Sequence, residues 1–130
     1  MSIPLDESFQ TTLHIRDHCL CLHVQRAARA LARRFDEVLR PIGITHGQFS
    51  LLNALNRPQP ASMTSVATLL AMDRTTLTAN LKVLERKGLA KVAVDKEDKR
   101  SRRLSLTPAG KTLLAAAVPI RKPGHGAIEP

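Results

Sequence analysis

Three side chains near the N-terminus have the types and spacing of metal ligands. His14, His18 and Cys21 fall at i, i+4 and i+7, so on a helix they share one face. Such a face could hold Zn²⁺ if a fourth group came from a second subunit. Polar histidines and a small packed thiol are the commoner account of these residues, and no metal is assigned. Cys19 and Cys21 are two apart. On a helix they would point about 200° from each other, and a disulfide between them would be strained. They do not indicate an oxidising compartment. Neither a Gly-rich phosphate loop nor a nucleophile elbow occurs, which argues against an enzyme, and no cofactor is expected.

A second group suggests recognition rather than catalysis. The stretch "MDRTTLTANLK" reads as a helix yet carries Thr75, Thr76, Thr78 and Asn80. Relative to Ala these residues together cost about 2 kcal/mol of helix propensity. Asp73 can cap the first turn, but one cap explains one residue. Short polar side chains do let a helix approach base edges closely, and Thr offers a methyl to thymine. Leu77, Leu81 and Leu84 at i, i+4 and i+7 take the inward face, leaving Arg74, Thr75, Thr76, Thr78, Ala79 and Lys82 outward.

The charge balance agrees. Twenty Lys and Arg against eleven Asp and Glu give a formal net charge of +9. Eleven of the basic and five of the acidic residues lie between 71 and 111, so a third of the chain holds two-thirds of the excess. A polyanion is the natural partner. Three Phe and no Trp or Tyr leave few aromatic platforms for single strands, so duplex DNA is expected. At 130 residues and 43% hydrophobic, the chain suits one domain, 1–130, with a modest core. No run of about 18 apolar residues could span a membrane, and "MSIPLDESFQ" has no secretory pattern. The expected location is the cytoplasm, with the nucleoid.

These residues need elements to hold them. Over 12–40, Leu20, Val24, Ala27, Leu31, Phe35 and Val38 recur at steps of three and four, predicting one long amphipathic helix ended by "RPIG". Its apolar stripe is too long for a small domain to cover, so Leu20, Val24, Leu31 and Phe35 are expected to meet a second copy. "THGQFSLLNAL" opens a helix with Thr45 and Gln48 as a capping box, and Phe49, Leu52 and Leu55 inward. "SMTSVATLL", capped by Ser62 or Thr64, follows with Val66, Ala67 and Leu70 inward, then a three-residue turn and the Thr-rich helix. That pair outlines a helix-turn-helix. Gly88 ends its second helix, with Arg86 and Lys87 set against the dipole. "LAKVAV" and "RRLSL" then read as strands around the charged tip "DKEDKRS", a hairpin wing from which Arg100 or Arg102 could enter a minor groove. Thr107 and Pro108 start another helix. The predicted fold is mostly α with a small β-hairpin wing: a winged helix-turn-helix over 45–106, a dimerisation helix over 12–40 and a shortened C-terminal helix and tail over 107–130. Lys82, Arg86, Lys99 and Arg102 are the expected phosphate contacts.

From "GITHGQFSLLNAL" through "SVATLLAMDRTTLTANLKVLERKGL" to "DKEDKRSRRLSLTPAG", residues 43–110, the chain resembles the MarR family of bacterial transcriptional regulators. The resemblance implies a homodimer on pseudo-palindromic promoter DNA, acting as a repressor and released by a small phenolic or other lipophilic ligand or by cysteine oxidation. It puts Arg74, Thr75, Thr76, Thr78 and Asn80 at recognition-helix positions. Asp98 and Arg100 match the family's Asp-x-Arg wing motif, implying an orienting role for Asp98 and a minor-groove contact for Arg100. Cys19 and Cys21 lie where the family's peroxide sensors carry a reactive cysteine. Those sensors steady the thiolate with tyrosines, absent here, and inert packing of both thiols is the plainer reading. Two features depart from the pattern. Ala71 stands where the turn often has Gly, suggesting a turn that needs no left-handed backbone. "VPIRKPGHGAIEP" carries Pro119, Pro123, Gly124 and Gly126, expected to break the last helix and to leave the dimer region without its final one. The alternative is an architectural nucleoid protein without a sensing function, distinguished by coating DNA with little preference.

Overall fold

Local signals in the sequence start and stop most of the helices. The computed structural model describes residues 5–126. Helix α1 spans Leu5–His18, α2 Leu20–Leu39, α3 His46–Leu55, α4 Met63–Leu70, α5 Arg74–Arg86 and α6 Pro108–Gly126; strands β1, β2 and β3 are Ala61–Ser62, Ala90–Val94 and Arg102–Leu106. The residues divide into two units between Arg33 and Arg34. Among the described residues, no helix is long and apolar enough to cross a membrane.

In the first unit, the single helix expected from residue 12 begins at Leu5 and is interrupted at Cys19. A continuous helix would offer the Asp17 carbonyl to the Cys21 N–H. Here it accepts from His23 Nε2 at 2.7 Å. A carbonyl can only accept, so this ring nitrogen carries its hydrogen. Cys19 N–H still reaches the Ile15 carbonyl at 2.8 Å, and His23 N–H reaches that of Cys19 at 3.1 Å. The helical period therefore passes through the break, which is why spacing did not reveal it.

The second unit is built around the predicted caps. The Thr45 hydroxyl accepts from Gln48 N–H at 3.1 Å while Gln48 Oε1 accepts from Thr45 N–H at 3.0 Å, completing the capping box of α3. Ser62 caps α4 by accepting from Ser65 N–H at 3.1 Å. Thr107 caps α6, accepting from Gly110 N–H at 3.0 Å and donating to the Gly88 carbonyl at 2.6 Å. The core gathers Leu51, Leu52 and Leu55 of α3, Val66 of α4, Leu77, Leu81 and Leu84 of α5, Leu104 of β3 and Leu114 of α6.

Three details differ from expectation. The sheet has three strands, in the order β1-β3-β2, because Ala61 and Ser62 pair with Leu104 and Arg103. Two residues are too short to show an alternation, so β1 left no trace in the pattern. Ala71 adopts φ 51°, ψ 45°, a left-handed conformation after all. Ending α4 here sends Met72 N–H back to the Ala67 carbonyl at 2.9 Å, a closure that needs a left-handed residue at the helix end. Finally, α6 runs through Pro119 and Pro123 to Gly126 rather than breaking. Each proline removes one ladder bond, and spacing of four stacks both losses on one side of the helix.

Candidate nucleic-acid interface

The turn Ala71–Asp73 presents α5 with its inner leucines fully buried and its outer face open. Leu77 and Leu84 have no exposed surface. Arg74, Thr75, Thr76, Thr78, Ala79, Asn80, Lys82 and Arg86 are all exposed. At about 100° per residue, Thr75, Ala79, Lys82 and Arg86 lie directly opposite the leucines, with Arg74 and Thr78 on one flank and Thr76 and Asn80 on the other. The outermost line is thus small or cationic, as close approach to an anion requires.

The first turn is fixed by Asp73. One carboxylate oxygen accepts from Thr76 N–H at 3.0 Å, and the other from the Thr76 hydroxyl at 2.6 Å. These bonds, the hydroxyl's first, hold the Asp73 carboxyl below the usual carboxylate range. The cap therefore engages one threonine twice and does not engage the hydroxyls of Thr75 and Thr78. On the same flank as Thr76, Asn80 Nδ2 reaches the Met72 sulfur at 3.6 Å.

The wing stands beside the other flank. β2 and β3 pair antiparallel from Ala90↔Leu106 to Val94↔Arg102, ending in the loop 95–101. Asp98 organises that loop: its carboxylate accepts from Arg100 N–H at 3.0 Å and from the Ser101 hydroxyl at 3.1 Å, and its carbonyl accepts from Ser101 N–H at 2.9 Å. At the base of the loop, Asp95 accepts from Glu97 N–H and pairs with Arg103, both at 2.9 Å. The Glu97 amide and the Arg103 guanidinium depress the Asp95 carboxyl. The wing arginines thereby acquire different duties. Arg103 is paired, Arg102 folds back on the Lys99 carbonyl at 3.3 Å, and among the described residues nothing engages the Arg100 guanidinium.

Between α5 and the wing lies a cleft of about 390 Å³ lined by Arg74, Thr78, Lys82, Arg100 and Arg102, with Glu85 as its single carboxylate. Recognition-helix and wing residues are thus brought to one basic surface. A second cleft, of about 510 Å³, is lined by Phe49, Ala54, Leu69, Leu70 and Val118 together with Ser50 and Asn53.

The N-terminal residues are placed differently. His14 and His18 rings stack with centroids 4.2 Å apart. Among the described residues, no three His, Cys, Asp or Glu side chains gather as metal ligands. Cys19 is half-buried but Cys21 is exposed, so Cys21 is not the packed thiol expected of it. Leu20, Val24 and Leu31 are exposed as well, at 75%, 57% and 40%, and Phe35 is half-buried.

Sequence reasoning passed over Gly110. A Cβ built there would lie 2.0 Å from the Leu89 carbonyl oxygen, so glycine lets α6 dock against the backbone that leads into β2. Its position in "LTPAG" was the only signal.

Comparison with known proteins agrees with this geometry. The MarR family model matches residues 42–101. The organic hydroperoxide resistance transcriptional regulator of Bacillus subtilis is 31% identical over 101 residues, covering 78% of this chain and 69% of that protein. The regulator TtmR of Methylorubrum extorquens is 33% identical over 97 residues, 75% of this chain. The chain spans only about half, 50%, of TtmR's length. The M. tuberculosis transcriptional regulator MosR, solved in complex with DNA, superposes with a TM-score of 0.79 at 37% identity, covering 85% of this chain and 80% of that one. These relatives are regulators rather than enzymes. A buried leucine seam under a polar helix, a wing held by Asp98 and these likenesses lead to one assignment: the chain belongs to the MarR family of winged-helix transcriptional regulators.

Proposed function

We propose that two copies of this chain bind one pseudo-palindromic operator in double-stranded DNA and repress transcription by occupying it. α5 enters the major groove, where Arg74, Thr75, Thr76, Thr78 and Asn80 meet base edges while Lys82 and Arg86 meet phosphates. Asp98 orients the wing, Arg100 enters the adjacent minor groove, and Lys99 and Arg102 contact the backbone. The observation that carries this reading is the shared basic cleft: Arg74 and Lys82 of the helix line it together with Arg100 and Arg102 of the wing. A DNA-bound relative at 37% identity supports it.

Dimerisation uses the apolar stripe of α2, because Leu20, Val24 and Leu31 are exposed in a single chain and would be costly to leave in water. Release from DNA follows a signal of one of two kinds. One is a small lipophilic or phenolic effector, for which the cleft that sets Phe49, Leu69, Leu70 and Val118 beside Ser50 and Asn53 is the candidate site. Oxidation at exposed Cys21 or half-buried Cys19 is the other, and the hydroperoxide-resistance relative supports weighing it. Footprinting on the DNA beside the protein's own gene tests the reading. Protection of one two-fold site is expected, whereas continuous coating without preference would replace the operator-specific regulator by an architectural protein.

A further inference from the structure

The hydroxyl of Thr76 has lost the freedom that usually makes threonine an ambiguous reader of bases. A free threonine hydroxyl rotates, so it donates to guanine or thymine oxygens and accepts from adenine or cytosine amines with equal ease. In α5 its single hydrogen is committed to Asp73 Oδ1 at 2.6 Å, and the backbone N–H of the same residue occupies Asp73 Oδ2 at 3.0 Å. Thr76 nevertheless remains exposed, in the first turn of the helix. What that hydroxyl offers outward is lone pairs alone. A charged carboxylate behind the hydroxyl strengthens it as an acceptor and adds negative potential where a keto oxygen would sit. Among the described residues, no such bond ties the hydroxyls of Thr75 and Thr78, which keep both choices.

We infer that Thr76, locked by Asp73, is a one-way reader that selects a base presenting an exocyclic amine to the major groove, adenine or cytosine, and rejects guanine and thymine at that place. This rests on the proposal that α5 enters the major groove. Asp73 acts through Thr76 as a positioning residue.

Selection of bound sequences by the full-length protein, from a duplex library with a randomised core of about 20 base pairs, tests it. On the strand facing Thr76, one position per half-site should favour A·T or C·G over T·A or G·C by about tenfold. Thr76→Val keeps the shape but removes the lone pairs, and should reduce that preference to less than about twofold, while Thr76→Ser retains it. Asp73→Asn keeps an equally good cap, yet its amide can donate to the hydroxyl and so release the threonine hydrogen. Preference at that one position should therefore relax while the thermal midpoint is held. The inference is overturned if Thr76→Val lowers affinity evenly and leaves the amine preference intact, or if the position it affects favours keto bases. Arg74→Ala and Thr78→Ala separate the two levels. Should they reshape the selected site while Thr76→Val and Asp73→Asn do not, the one-way reader alone fails. If none of the four variants alters base preference, the major-groove placement fails and takes this inference with it.

Discussion

Arg74 and Arg100 line the same cleft but belong to elements that would meet different grooves. Arg74 starts α5, where a guanidinium can bond two acceptors of a guanine. Its replacement by Ala should cost about 1–3 kcal/mol and relax base preference at one position per half-site. Arg100 sits on a loop pinned by Asp98, and a minor groove is read mainly by its width. Arg100→Ala should weaken binding chiefly where the flanks are A·T-rich. Binding curves on an operator series with altered core or altered flanks distinguish these outcomes; equal losses on every duplex would reduce both residues to phosphate contacts. Ala71 carries a different strain. An L-residue pays about 1–2 kcal/mol in the left-handed region, and glycine would avoid this at an entropic cost of about 0.4–1 kcal/mol in the unfolded chain. With φ at 51° and the side chain exposed, Ala71→Gly should stabilise the protein by roughly 0.5–1 kcal/mol, read from denaturant midpoints. No gain would mean that the Ala71 methyl makes a compensating contact.

At the scale of elements, the legible parts were those with chemistry at their ends. Thr45 with Gln48, Ser62, Asp73, Gly88 and Thr107 with Pro108 marked boundaries now visible as hydrogen bonds or a left-handed glycine. Leu77, Leu81 and Leu84 marked the buried side of α5 through their spacing. Features fixed by tertiary contact were hidden: the ladder that recruits Ala61 and Ser62, the Leu89 carbonyl against Gly110, and the His23 ring that takes the Asp17 carbonyl. The basic surface was readable as charge, but not its division of labour, because only geometry separates paired Arg103 from unengaged Arg100. The wing's geometry predicts its response to acid. The Asp95 carboxyl is depressed by the Glu97 amide and by Arg103, so its folded value lies below its unfolded one. Its contribution is then fully present above about pH 4 and disappears as pH falls through the folded value. The Asp95 side-chain carboxyl carbon shift should titrate with a midpoint below about 3.9. A midpoint at or above that value would show that the tie at the base of the wing does not favour the charged carboxylate.

For the whole molecule, charge and assembly are linked. With Lys82, Arg86, Lys99 and Arg102 each neutralising one phosphate, two subunits release counterions from about eight sites, and log K should fall against log[salt] with a slope near about −7. A slope shallower than about −3 would mean a largely solvated surface or one bound subunit. The proposed two-subunit arrangement matters because recognition helices must lie about 34 Å apart to enter successive major grooves on one side of a duplex. Nothing within a single winged helix sets that distance, so the proposal assigns it to a helical interface. Val24 and Leu31 are exposed in the single chain, at 57% and 40%, which makes them informative positions. An aspartate at either has little core to disrupt in the monomer but would be buried without a partner in a dimer. Sedimentation at micromolar concentrations should show the native protein in a reversible monomer–dimer equilibrium. Val24→Asp and Leu31→Asp should both shift it to monomer, keep the native circular dichroism, and lose protection of the full two-fold site. Their salt slopes on a half-site duplex should fall to about half the native value, since one subunit contributes about four phosphate contacts. A native protein that stays monomeric at every accessible concentration yet protects a complete palindrome would overturn this assembly.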